Sequence, residues 1–104
     1  MSSSFKFAEA KLKADLTNYL DWSTHMTTYL EFNEVWTIVK DEQDEAKLKP
    51  KENIKAYLIL ESQCEVETRR SYLEDCGKLG WKAWKALREG YLATTAISKP
   101  YIRK

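Results

Sequence analysis

Asn18-Tyr19-Leu20-Asp21-Trp22-Ser23-Thr24-His25-Met26-Thr27-Thr28-Tyr29-Leu30 is the stretch on which the fold turns. Tyr19, Trp22, Met26, Tyr29 and Leu30 recur at three- and four-residue steps while Asp21, Thr24 and Thr28 fall elsewhere, the pattern of an amphipathic helix with one buried stripe. Thr17 or Asn18 stands where a helix cap is needed, because a short polar side chain there accepts a hydrogen bond from an otherwise unpaired backbone N–H. A helix therefore begins near residue 18, and its inner face is largely aromatic.

Downstream, Asn33 reads as a second cap. It opens a short helix over Glu34 to Val39 that turns Val35, Trp36 and Val39 inward, its β-branched residues disfavouring a longer one. Residues 40–51 are nearly all polar and close on Pro50-Lys51, which reads as an exposed connection. A third helix over about Glu52 to Gln63 buries Ile54, Tyr57 and Leu58, with Cys64 at its end. Thr68 reads as the cap of a fourth, over Arg69 to Cys76, burying Tyr72, Leu73 and Cys76 and stopped by Gly77, which tolerates the left-handed conformation on which helices often end. The fifth, over about Leu79 to Leu92, places Leu79, Ala83, Trp84, Leu87 and Tyr91 on one face and Lys78, Lys82 and Lys85 on another. Trp81 falls off the apolar face. Beyond it, Ser98-Lys99-Pro100 reads as the cap and first turn of a further helix that the chain does not complete.

Working back from residue 18, Phe5 and Phe7 alternate about Lys6 as in a strand, whereas the following residues favour helix. Residues 1–16 therefore read as an N-terminal arm, extended or partly helical. Residues 17–92 read as a helical lobe, and residues 93–104 as a linker and the start of the further helix. The expected fold class is all-α, a compact bundle of about five short helices. Length supports it, since 104 residues suit one domain with one core. Three glycines and two prolines are too few for a turn-dense β-fold.

Composition narrows the function classes. No basic segment leads into an apolar run and no apolar stretch approaches a membrane span, so neither a leader nor a membrane partner is expected. Two cysteines, Cys64 and Cys76, fit free buried thiols in a reducing, cytoplasmic setting better than a disulfide framework. Residues 1–68 carry eight Lys/Arg against thirteen Asp/Glu, whereas residues 69–104 carry nine against three. Opposite charge on the two parts of a chain can steer the association of copies, or merely mark solvated helix faces.

Catalytic chemistry finds little support. His25 is the single histidine and no serine or cysteine nucleophile accompanies it, so no catalytic residue is expected. Cys64, Cys76 and His25 match no zinc spacing, and no metal or cofactor is expected. Asp41 to Glu52 has the length of a calcium loop. It places Ala46 where the sharp turn needs glycine, with Gln43 and Lys49 where carboxylates belong, and so reads as a solvated linker. Lys78, Lys82, Lys85, Arg69 and Arg70, together with Arg103 and Lys104, are candidates for RNA contact, with Trp81 able to stack on a base; the alternative is a lysine-rich solvated face.

The series Asn18-Tyr19-x-x-Trp22-x-x-x-Met26-x-x-Tyr29-Leu30-x-x-x-x-x-Trp36-x-x-Val39 resembles the start of Gag polyproteins of copia-type LTR retrotransposons. Lys55-Ala56-Tyr57-Leu58-Ile59-Leu60 is similar to that family's third helix, and Ala83-Trp84-x-x-Leu87-x-x-x-Tyr91 to its Ala-Trp-x-x-Leu-x-x-x-Tyr signature. The likeness runs in order over about residues 12–92. The family often has a glycine shortly before the Asn-Tyr pair, near where Leu16 stands here, and its zinc knuckle has no counterpart in this chain. The resemblance implies the N-terminal lobe of a capsid-forming region, which self-associates into a shell around retrotransposon RNA, with RNA held mainly by segments outside this chain. A domesticated Gag-derived adaptor binding a cellular peptide or protein is the alternative.

On this reading Tyr19, Trp22, Met26, Tyr29, Leu30, Trp36, Val39, Tyr57, Leu58, Trp84, Leu87 and Tyr91 form the core. Trp81 and Tyr101 are the candidates for self-association.

Overall fold

In the computed structural model, which describes residues 9–40 and 49–98, Tyr19, Trp22, Met26 and Leu30 lie on the buried side of α1 (Tyr19–Phe32). The chain continues through α2 (Trp36–Val39), α3 (Pro50–Ser62), α4 (Val66–Tyr72) and α5 (Gly80–Ser98), with no strand among the described residues. The fold is thus an all-α bundle, with five helices among the described residues, as the three- and four-residue periodicity requires. α3 packs against α1, α2 and most extensively α5, while α5 also touches α2 and α4.

Aromatic side chains join α1 to α5. Tyr91 stacks on Tyr19 with centroids 4.7 Å apart, Trp84 lies 6.3 Å from Trp22, and Trp36 presents its edge to Trp84 at 5.4 Å and 84°. Offset and edge-on arrangements of this kind add to the burial energy of each ring by matching its negative face to a positive edge. Trp22 is fully buried and its indole N–H donates to the Gln63 carbonyl at 3.0 Å, so the largest apolar side chain of the core leaves no polar atom unpaired there. Met26, Leu30, Val39 and Leu87 are fully buried and Tyr57 nearly so, whereas Tyr29, Trp36, Trp84 and Tyr91 are partly buried against the same cluster.

α3 turns a different face inward from the expected one. Leu58 and Ile54, expected in the core, are 51% and 43% exposed, and the buried set is Asn53, Ala56, Tyr57 and Leu60. The cause is the approach of α5. A Cβ on Gly80 would come 2.5 Å from the Ala56 Cβ, so α5 rests where α3 has only a methyl group. Hydrophobicity alone favours Ile54 and Leu58; closeness of the two helix axes favours alanine.

The arm is tied into the core. Leu12 and Leu16 are fully buried in the same cluster as Trp22. Leu12 N–H donates to the Gln63 carbonyl and Leu12 C=O accepts from Glu65 N–H, an isolated parallel bridge at Leu12 and Cys64. Leu12 and Leu16, which precede the boundary between residues 16 and 17, therefore belong to the same core as the helices, while the residues between them stay exposed or partly so.

Helix limits shift for identifiable reasons. Pro50 opens α3, where its missing N–H costs nothing, and does not belong to the connection. Thr68 lies inside α4, fully buried, and donates to the Leu12 carbonyl at 2.6 Å in place of capping. Asn33 closes α1, and Val35 precedes α2. Asn18 precedes α1 but clamps the arm, its Oδ1 accepting from Lys13 N–H and its Nδ2 donating to the Lys11 carbonyl. α5 runs on to Ser98, so residues 93–98 are helix and not linker, and Ser98 ends α5 where it was expected to cap a further helix. Phe5, Phe7 and residues 99–104 lie outside the described residues.

Candidate functional site

Trp81, Trp84, Lys85 and Arg88 fall at three- and four-residue steps along α5, so the helix itself sets two tryptophans beside two cations. α2 crosses nearby and adds Trp36 and Val39. Between the two helices lies an open groove of about 490 Å³, with Trp36, Val39, Trp81 and Trp84 contributing its apolar lining and Lys40, Lys85, Arg88 and Glu89 its charges. Among the described residues its lining carries three cations against one carboxylate, which makes that lining electropositive. The groove exceeds in volume the depressions of about 310, 280 and 230 Å³ found elsewhere on the described residues.

Trp81 is half-buried, not simply exposed. Its backbone N–H donates to Asn53 Oδ1 at 3.3 Å, its indole Nε1 is buried with no hydrogen-bond partner, and Lys82 Nζ stands 5.7 Å from its ring centroid. A buried donor left unpaired costs about 1–3 kcal/mol, an uncommon feature in a native fold. Tyr101, the other candidate for self-association, lies outside the described residues.

The basic candidates for RNA contact do not share one site. Lys85 lines the groove and Lys82 lies over Trp81. Lys78 sits in the turn before α5 with a positive φ of 57°. Arg69 and Arg70 line a separate shallow depression of about 230 Å³ together with Glu61 and Glu74, where carboxylates offset them. Arg103 and Lys104 lie outside the described residues.

His25 Nδ1 stands 3.1 Å from Glu9 Oε2 and 2.9 Å from the Asp21 carbonyl, on the exposed side of α1. No nucleophile stands with it in these contacts. Cys64 and Cys76 are free and buried, and burial pushes both thiols up, that of Cys64 to about 12. A thiol held protonated at neutral pH is a poor nucleophile and a poor metal ligand. Among the described residues no three His, Cys, Asp or Glu side chains gather as a metal site, and no helix is long and apolar enough to cross a membrane.

Arg88 belongs to the groove and was not among the expected site residues, although its spacing of four from Trp84 and seven from Trp81 is legible in the sequence. Asn53 was missed for a different reason: its neighbour at the start of α5 is 28 residues away. Comparison with protein-family models, with characterised proteins and with solved structures finds no match to this chain.

Proposed function

We propose that this chain is a structural module, the N-terminal lobe of a copia-type Gag-like capsid region, which works by associating with copies of itself in a shell around RNA. The observation that carries the reading is the convergence of the residues on which the resemblance rests. Tyr19, Trp22, Trp36, Trp84 and Tyr91, spread over more than seventy positions, meet in one run of ring contacts. A second observation supports it. Leu16, near the place where that family often has glycine, adopts φ 60°, a conformation that glycine takes without steric cost.

The module works in the cytoplasm, needs no cofactor and catalyses nothing; RNA is held chiefly by other segments, and no membrane is involved. Expression of the complete reading frame tests this: particles that enclose RNA are expected in electron micrographs, and a well-folded full-length protein that never forms them overturns the reading. The groove also favours a second reading, a domesticated adaptor that seats a cellular peptide between α2 and α5. A reading frame continuing into a protease and an integrase favours the mobile element over the adaptor.

A further inference from the structure

We propose that the α2–α5 groove is half of a self-complementary patch through which two copies of this chain pair about a two-fold axis. The proposal rests on the reading of the chain as a self-associating lobe and names the surface and symmetry. The other half lies beside the groove. Glu31 and Glu34 line a second depression, of about 310 Å³, together with Thr37 and Trp36. Trp36 thus borders both depressions. Phe32, the last residue of α1 and the one that follows Glu31, is 51% exposed. α1 contains no lysine or arginine.

An acidic depression and a basic, aromatic groove therefore adjoin across one side chain, with the exposed Phe32 beside the acidic one. In a two-fold contact, residue i of one copy meets j of the other while j meets i, so a patch that carries both complements side by side satisfies both at once. The acidic half of each copy lies against the basic half of its partner, Glu31 and Glu34 face Lys40 and Arg88 twice over, and the assembly closes at two. Head-to-tail pairing would use one acidic and one basic half per contact and leave both ends open.

Base stacking fits the groove less well. Trp84 is already packed by Trp22 and met by the edge of Trp36, Lys82 stands over Trp81, and the Glu89 carboxylate would oppose a phosphate. Stable interfaces bury roughly 1,200–2,000 Å² in total, and weak ones less. Two shallow neighbouring depressions point to the weak end, with association in the micromolar range or above.

Sedimentation equilibrium of the chain at low ionic strength, where surface charges are least screened, tests the proposal. The parent is expected to be a monomer–dimer mixture. Lys40→Glu/Arg88→Glu makes both halves of the patch acidic, and Glu31→Lys/Glu34→Lys makes both basic; each is expected to weaken the dimer by roughly tenfold or more. All four positions are exposed, and melting curves verify that the variants fold. An equimolar mixture of the two variants is expected to recover a one-to-one heterodimer, because each half then faces a half of opposite sign. Phe32→Ser is expected to weaken the parent dimer without altering charge.

A parent that stays monomeric from micromolar to near-millimolar concentration overturns the proposal. So does a dimer indifferent to the exchanges, a mixture that fails to reunite, or growth beyond two subunits. Binding of a single-stranded oligonucleotide to the monomer through Lys40 and Arg88 in place of pairing overturns it in favour of nucleic acid. Failure of the patch is separable from failure of the capsid reading. Particles of the complete reading frame that survive both charge exchanges overturn the patch alone, whereas pairing of this chain together with a complete reading frame that forms no particles overturns the capsid reading alone.

Discussion

Asn53 of α3 holds the start of α5: its Oδ1 accepts the Trp81 backbone N–H at 3.3 Å while its Nδ2 donates to the Lys49 carbonyl at 3.1 Å. The first N–H groups of a helix have no partner inside it, and α5 finds one on a neighbouring helix. Asn53 is fully buried, so neither water nor a shift of the side chain can replace the bond. The asparagine therefore couples α3 to the helix that bears the groove.

Asn53→Ala is accordingly expected to lower stability by about 1–3 kcal/mol, the cost of stranding a buried donor. Asn53→Leu is expected to do no better despite its apolar bulk, because the Trp81 N–H still loses its acceptor. Urea unfolding of the two variants checks this; a leucine variant as stable as the parent would refute the role assigned to the amide.

Gly80 gives a sharper steric case. Its added Cβ would meet the Ala56 Cβ at 2.5 Å and the Asn53 carbonyl at 3.1 Å, groups that cannot rotate away. Gly80→Ala is expected to cost about 1–3 kcal/mol through overpacking. Gly90→Ala would meet the Tyr72 ring, a side chain able to yield, and is expected to cost less. The double change Gly80→Ala/Ala56→Gly is expected to recover part of the loss. Thermal melts of the set give the order, and Gly90→Ala emerging as the worse single variant would contradict it.

The same contacts explain what the sequence made legible. The inner faces of α1 and α5 are apolar and strictly periodic, so Trp22, Met26, Leu30, Ala83 and Leu87 fall where a period of 3.6 puts them. On α3 the pattern of Ile54, Tyr57 and Leu58 misleads by about one position, because what selects the buried face is a glycine 24 residues later. Leu12 and Leu16 stand a helical step apart, but the segment that carries them is a bridge and turns, not a helix, so spacing alone does not place them in the core. Their burial depends on backbone bonds to residues 63 and 65 and on the Thr68 hydroxyl. In the groove, Trp81 stood out as the tryptophan off the apolar face, and the structure adds that Trp36, Lys40 and Arg88 surround the same cavity.

Trp22, Trp84 and Trp81 are expected to differ in energetic weight. Trp22 is fully buried and hydrogen-bonded, so Trp22→Ala is expected to cost about 3–5 kcal/mol, enough to unfold a domain whose total stability is roughly 5–15 kcal/mol if it sits near the lower end. Trp84 is only partly buried and Trp84→Ala is expected to cost less, while Trp81 is half-buried but outside the core cluster, and Trp81→Ala is expected to cost less still and to act on association. Circular dichroism melts combined with sedimentation separate the two effects. A Trp22→Ala protein that melts cooperatively near the parent temperature would remove Trp22 from the centre of the core.

Alkaline pH should expose the state of Cys64. Its thiol pKa rises from 9.0 to about 12 in the folded chain because burial penalises the thiolate. Between those values the unfolded chain has lost the proton while the folded chain retains it, so the unfolded state binds fewer protons and stability falls as pH rises. The full contribution is present below pH 9 and is lost progressively towards 12, by up to about 4 kcal/mol for a shift of this size. Burial also raises Tyr19 and Tyr57 above 10.0 and Cys76 above 9.0, giving losses of the same sign over a similar range. Cys64→Ala is therefore expected to be less stable than the parent at neutral pH, from lost packing, yet to show a shallower decline of urea midpoint between pH 9 and 11. Parallel declines in the two proteins would mean that the Cys64 thiol ionises as readily in the folded chain as in the unfolded one.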